Sequence, residues 1–199
     1  MIPLRDEQMY WSDGRLPEWM ILDRLTPIIL SFAEGCVVDI GMGDTTEILL
    51  RHTQSLGRRH YSIDTDGRKC ARYQESEFHH VNHVIWHGRS LSFFDIFDQS
   101  GDLPALVMMD GQHDYRTMHA EAHFYLERME AGGALFMHDT CPMEGYYEKK
   151  LESKGREMEG YKIRQEIEKI SGYDILTWRY GVGLSMVLKK DMSQPFYRL

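Results

Sequence analysis

Apolar residues in this chain gather in short runs separated by longer amphipathic stretches. Five runs read as strands: Cys36–Ile40 (CVVDI), His60–Ile63 (HYSI), Val84–His87 (VIWH), Ala105–Met109 (ALVMM) and Ala134–Met137 (ALFM). Helical periodicity predicts helices at Glu18–Phe32, Thr46–Thr53, Gly67–Glu77 and Thr117–Glu130, with Pro17 suited to the first helical position. Alternation of this kind is the signature of a parallel sheet with crossover helices. Two further runs, Tyr173–Tyr180 and Leu184–Lys189, flank Gly181-Val182-Gly183, a connection that suits an antiparallel hairpin. The fold class expected is therefore α/β: a Rossmann-like, doubly wound, mostly parallel seven-stranded sheet ending in an antiparallel hairpin. Between the fifth run and the hairpin, Tyr147–Ile170 is densely charged and reads as one or two solvated helices, split at Gly155 or Gly160, that reach beyond the sheet.

Length fits one domain over residues 1–199, with residues 1–35 as an N-terminal helical cap and 141–172 as a charged helical insertion. The balance of 23 Lys and Arg against 31 Asp and Glu gives a net charge of −8, which repels a phosphate backbone and argues against nucleic acid. No run approaches the roughly 18 apolar residues of a membrane span. The N-terminal MIPLRDEQMYWSDGRL lacks a secretory apolar core, so a cytoplasmic protein is expected. Cys36, Cys70 and Cys141 are three in number and far apart, which suggests reduced thiols. Self-association is left open.

The stretch VVDIGMGDTTEI places Gly41 and Gly43 between an apolar run and a helical pattern, where nucleotide-like cofactors rest. A dinucleotide loop would carry a third glycine, but that position is Thr46. Asp39 and Asp44 stand where a phosphate would approach, and like charges oppose it. An adenosine-type ligand with a positive centre suits the loop better, and S-adenosylmethionine has that description. Asp44 also reads as a helix N-cap, with Glu47 completing a capping box. Asp64 closes the second run at the spacing of a ribose-binding acid, and Asp66 reads as the next N-cap.

Carboxylates recur at strand ends. Asp39, Asp64, Asp110 and the pair His138-Asp139 all fall near the carboxyl ends of predicted strands, the edge at which open parallel sheets bind ligands. Crowded acids need cations. Asp110 and Asp139 are hard oxygen donors suited to Mg²⁺ or another divalent cation, with a third donor from His138, His113 or water. Both also suit helix caps or turns. His113, three residues past Asp110, is a candidate general base. The segment HHVNHVIWH contains an i, i+4 histidine pair but has no carboxylate or cysteine beside it, which disfavours a metal site there. Tyr10, Trp11 and Trp19 either cover a pocket or pack a helix onto the sheet.

From Val37 to Lys189 the chain resembles class I S-adenosylmethionine-dependent methyltransferases. VVDIGMGDTT resembles their first motif, YSIDTD their second, and HGRS the loop near the adenine. VMMDGQHDYRTMHAEAHFYLERMEAGGALFMHDT resembles the small-molecule O-methyltransferase branch. The resemblance implies Asp39, Gly41, Gly43, Thr45, Asp64 and Asp110 around the cofactor, and Ser90 beside the adenine. It further implies Asp110, His138 and Asp139 as metal donors, and Asp110 with His113 as catalytic residues acting on a small-molecule hydroxyl. The sequence departs from the branch at Gln112-His113-Asp114, at Arg89 and at His138, where relatives often carry a second acid. Two alternatives follow from the same residues: a noncatalytic S-adenosylmethionine or S-adenosylhomocysteine-binding module, and a nicotinamide-dependent oxidoreductase.

Overall fold

Central strands that are buried at every position, as Cys36–Ile40 and Pro104–Met109 are, need cover on both faces, and the chain supplies it. The computed structural model describes residues 18–141, 159–179 and 183–191. In order these form α1 (Glu18–Phe32), β1 (Cys36–Ile40), α2 (Asp44–Leu56), β2 (His60–Asp64), α3 (Gly67–Gln74) and β3 (His83–His87). A 3-10 turn (Ser90–Phe93) then leads into α4 (Phe94–Ser100), β4 (Pro104–Met109), α5 (Tyr115–Arg128) and β5 (Ala134–His138). The last elements are α6 (Gly160–Ile167), β6 (Tyr173–Trp178) and β7 (Leu184–Lys189). The seven strands make one sheet in the order β3-β2-β1-β4-β5-β7-β6. Pairing is parallel from β3 through β5, and β7 runs antiparallel to both β5 and β6. The expected mostly parallel sheet with its antiparallel end is the fold observed.

Alternate strand residues serve opposite cores. Val38, Ile40, Val107, Met109, Leu135 and Met137 pack beneath α4, α5 and α6 with Phe93, Phe97, Tyr125, Ile163 and Ile167. Val37, Met108, Ala134 and Phe136 pack against Leu22, Ile29 and Leu30 of α1 and Leu49 of α2. Ile163 and Ile167 have no exposed surface, so the described end of the charged stretch is not the solvated face its composition suggests. The two isoleucines lie four residues apart on one helical face, and that stripe docks α6 onto the core. The 3-10 turn and α4 were not anticipated. Seven residues are too few to show helical periodicity, although Phe93 and Phe97 carry the i, i+4 spacing. Among the described residues no helix is long and apolar enough to cross a membrane.

The start of α2 corrects the capping expectation. Gly43, not Asp44, is the N-cap, and Asp44 is the first helical residue. Thr46 explains the difference: its Oγ1 accepts from Gly43 N at 2.9 Å and donates to Asp39 Oδ2 at 2.6 Å. Glu47 turns instead to Arg72 at 2.8 Å. Asp66 does cap α3, accepting from Arg68 N at 2.9 Å.

β1 is the strand at which the winding reverses, with β2 on one side and β4 on the other. There the loops after β1 and β4 nearly touch. Gly41 has φ +89°, and a Cβ at that position would lie 2.2 Å from the Asp110 carbonyl oxygen. Only glycine satisfies both the conformation and the space. Gly41→Ala is expected to destabilise the fold by about 2 kcal/mol or more, measurable by urea denaturation. An alanine variant with unchanged midpoint would refute the tight apposition of these loops.

Beneath β2 and β3 lies a histidine cluster with a pH signature. Burial and the neighbouring His83 and His80 hold His60 well below the ordinary histidine value. Burial, His79 and His80 push His83 down to about 3. Both rings prefer to be neutral in the folded state, so unfolding takes up protons once the pH falls below the unfolded value near 6.5. Their stabilisation is complete above that pH and declines from there toward the lower folded values, by up to about 1.4 kcal/mol per pH unit for each histidine. Denaturation between pH 7.5 and 5 should show this slope, and His83→Gln, which can still meet Ser62, should flatten it. An equal slope in the variant would assign the acid sensitivity elsewhere.

Candidate active site

The carboxyl ends of β1 to β4 open into a cavity of about 840 Å³. Its lining includes Gly41, Asp64, Arg89, Ser90, Asp110 and His113. That is the place where an open α/β sheet binds ligands. Asp64 is fixed before any ligand arrives: Oδ2 accepts from Met42 N at 2.9 Å and from Lys69 Nζ at 3.1 Å, and Oδ1 accepts from Asp66 N at 2.8 Å. Ser90 lines the cavity, but its hydroxyl donates to the buried carboxylate of Glu121. Burial pushes Glu121 up to about 7 despite the Ser90 hydrogen bond.

Not all the residues expected around a cofactor reach the cavity wall. Asp39 has no exposed surface, and burial, outweighing the hydrogen bond from Thr46, pushes its carboxyl up to about 7. Its Oδ1 is buried without a partner. Asp39 therefore holds the glycine loop through Thr46 rather than facing a ligand itself. Gly43 and Thr45 are also not part of the lining; the Gly43 carbonyl is fixed by Tyr73 Oη at 2.6 Å, and the Thr45 hydroxyl is buried without a partner.

At the floor, three elements deliver charge to one point. His138, at the end of β5, sets Nε2 2.8 Å from Glu18 Oε2 of α1. Its Nδ1 lies 3.1 Å from Asp110 Oδ1 and 3.3 Å from Asp139 Oδ1, shared between two carboxylates and aligned fully with neither. Burial disfavours the imidazolium, but contacts with Asp110, Asp139 and Glu18 outweigh it and push His138 up to about 12. His138 is thus a resident cation. Asp139 sits at φ +57°, a left-handed conformation that Asp tolerates better than most residues. Burial would raise its pKa, yet His113 and His138 hold it well below the usual carboxylate range. His113 Nδ1 lies 2.9 Å from Asp139 Oδ2, and this contact, with Asp110 nearby, raises its pKa against the opposing effect of burial.

Asp110, His113 and Asp139 bring one donor atom each within 4.8 Å of one another. The third member of this set is His113. Both nitrogens of His138, the residue expected there from sequence, are already turned to carboxylates. A hard divalent ion fits the two carboxylates, and the imidazole extends the choice to a transition metal.

Two further contributions were invisible from sequence. Glu18 is 120 positions from His138, and it also accepts from Gly183 N at 3.2 Å, joining α1 to the ends of β5 and β7. α6 closes the other side: Glu159 N donates to the His113 carbonyl at 3.0 Å, and Glu159 Oε2 accepts from Tyr115 N at 2.9 Å. Gly160 rests on the strand end, where an added Cβ would lie 2.8 Å from the Asp139 carbonyl oxygen. Trp19 is half-buried in α1, while Tyr10 and Trp11 lie outside the described residues.

Comparison with solved structures returns the same architecture. The O-methyltransferase TomG of Streptomyces achromogenes, involved in tomaymycin synthesis and solved with SAM, matches with a TM-score of 0.63 at 15% identity, covering 88% of this chain and 81% of its own. An O-methyltransferase of Bacillus cereus, solved with SAH, matches with a TM-score of 0.62 at 14% identity over 85% of this chain and 81% of its own. An rRNA methylase of Streptococcus thermophilus matches with a TM-score of 0.55 at 16% identity over 85% of this chain and 95% of its own. At such identities the likeness is one of fold. Among curated proteins none matches by sequence. The model of a methyltransferase domain matches residues 38–140, from the middle of β1 to just past the His138-Asp139 pair. More than half the chain, including the glycine loop and the floor of the cavity, is thus accounted for by one family: the chain belongs to the methyltransferase-domain family.

Proposed function

We propose that the protein is an S-adenosylmethionine-dependent O-methyltransferase that acts on a hydroxyl of a small molecule. The observation that carries this reading is the convergence of Asp110 and His113, which line the cavity where the sheet reverses, with Asp139, which contacts His113. S-adenosylmethionine supplies a methyl group on a sulfonium, a cation that the acidic rim of strand ends favours. Asp64, already oriented by its backbone donors, offers carboxylate oxygen to ribose hydroxyls, with Gly41 leaving room above the loop and Ser90 near the base. Acidic walls and a net charge of −8 oppose an RNA backbone, so a small acceptor is preferred to a nucleic acid.

In this reading the acceptor hydroxyl lies between the methyl donor and the Asp110–His113 edge of the cavity. Asp110 and His113 draw its proton, leaving oxygen lone-pair density in line with the methyl carbon. Asp139 orients the His113 ring. His138 and His113 keep Asp139 ionised beside Asp110, and Glu18 helps to keep His138 charged. A divalent cation held by Asp110, His113 and Asp139 would lower the pKa of the acceptor hydroxyl. S-adenosylhomocysteine should raise the melting temperature, since a ligand that binds only the folded state stabilises it. Methyl-labelled S-adenosylmethionine offered with phenols, catechols and aliphatic alcohols, each with and without Mg²⁺, should label an acceptor. With that acceptor, Asp110→Asn is expected to lower turnover by about 100-fold or more while changing S-adenosylhomocysteine affinity only a few-fold. No thermal shift would refute the cofactor, binding without transfer to any acceptor would favour a noncatalytic module, and full turnover in the variant would remove Asp110 from the chemistry.

A further inference from the structure

The outer flank of α5 carries a second constellation, separate from the cavity. Tyr115, His119 and His123 recur at four-residue intervals, which stacks them along one side of the helix. The Tyr115 and His119 rings lie 5.4 Å apart between centroids, and the His119 and His123 rings 4.2 Å apart. α6 brings Glu166 to the same side. His119, His123 and Glu166 place one donor atom each within 4.8 Å of one another, all three only partly buried. None of the three lines the cavity.

The details suit a cation better than a direct ion pair. His119 Nε2 and Glu166 Oε2 stand 3.7 Å apart, too far for a hydrogen bond. Two donors on one tetrahedral ion, each about 2.0–2.1 Å from it, would be separated by roughly 3.3 Å, so small side-chain rotations complete the geometry. The other carboxylate oxygen, Glu166 Oε1, accepts from Tyr115 Oη at 2.8 Å. A carboxylate steered by a neighbouring hydroxyl is the outer-shell support that metal ligands commonly have. Two imidazoles and one carboxylate select a borderline transition ion such as Zn²⁺ or Co²⁺ over Mg²⁺, with water in the remaining position.

We propose that His119, His123 and Glu166 form a transition-metal site that staples α6 to α5. The consequence is local. α6 begins at the contacts that Glu159 and Gly160 make with His113, Tyr115 and the His138–Asp139 backbone, so an ion fixing Glu166 to α5 steadies one wall of the cavity from outside. The proposal stands whether or not the cavity holds the cofactor assigned above.

Co²⁺ titration of the full chain tests it, because a tetrahedral Co²⁺ site with nitrogen donors absorbs in the visible. The expected result is a visible band and a rise in melting temperature that excess Mg²⁺ does not abolish. His123→Asn and, independently, Glu166→Gln should each weaken Co²⁺ binding by about tenfold or more, while Asp110→Asn leaves the band in place. Circular dichroism of the metal-free variants establishes that they remain folded. Absence of the band, or a band that survives both α5–α6 substitutions, would overturn the proposal. A band lost in Asp110→Asn and retained in the others would transfer the ion to the cavity floor and equally overturn it.

Discussion

A parallel sheet aims its strand ends at one edge, and in this protein that edge carries carboxylates that cannot lie together without a counter-charge. Asp110, Asp139 and Glu18 converge on His138, whose imidazolium lies 2.8 Å from Glu18 and 3.1 and 3.3 Å from the two aspartates. Desolvation would ordinarily neutralise either partner. Here the three acids within hydrogen-bonding reach hold His138 in its charged form, and His138 with His113 does the same for Asp139. This buried cation helps to hold Asp139 as an anion beside Asp110 and His113, which line the cavity, and everything assigned to the floor of the cavity depends on it.

The sheet itself was legible because its periodicities are strong. β1 and β7 have the bounds their apolar runs predict, and the other strands differ by a residue or two at an end, apart from Tyr180 of the Tyr173–Tyr180 run, which lies outside the described residues. What the pattern missed was short or unlike its composition. α4 has two buried phenylalanines and too few residues to establish a period. α6 sits in a segment whose charges suggest solvent, yet only one stripe decides where a helix packs, and Ile163 and Ile167 supply it. At α2 the cap is Gly43, whose N–H donates to Thr46 Oγ1 while Thr46 donates to Asp39, a partnership that leaves Asp44 as the first helical residue.

The site was legible to the extent that its residues close strands. Asp64, Asp110, His113 and Asp139 reach the cavity or its floor because strand ends are the positions that topology gathers. The division of labour among them was not readable. His113 and His138 look equivalent as donors in a sequence, but Glu18 arrives from α1 to occupy His138 Nε2, and that partner is identifiable only in three dimensions. Glu121 likewise reads as one more charge on an amphipathic helix, although it faces inward to Ser90. The spacing His119-x-x-x-His123 was available to a reader looking for helical metal ligands, but the required third donor lies on a different helix.

The two charge clusters differ in how they are satisfied, and the difference follows from depth. At the cavity floor the protein supplies its own cation, because an acid buried there must be compensated during folding, before any ligand or ion arrives. On the flank of α5 the groups are half-exposed, so solvent can compensate them until an ion binds. The inner cluster is therefore tied to the stability of the fold, whereas the outer one can respond to the supply of metal. α6 joins them mechanically: its first residues touch the backbone beside His113 and Asp139, and less than two turns later it presents Glu166 to α5. A change in how firmly the outer cluster is held reaches the inner one through those backbone contacts, along a single short helix.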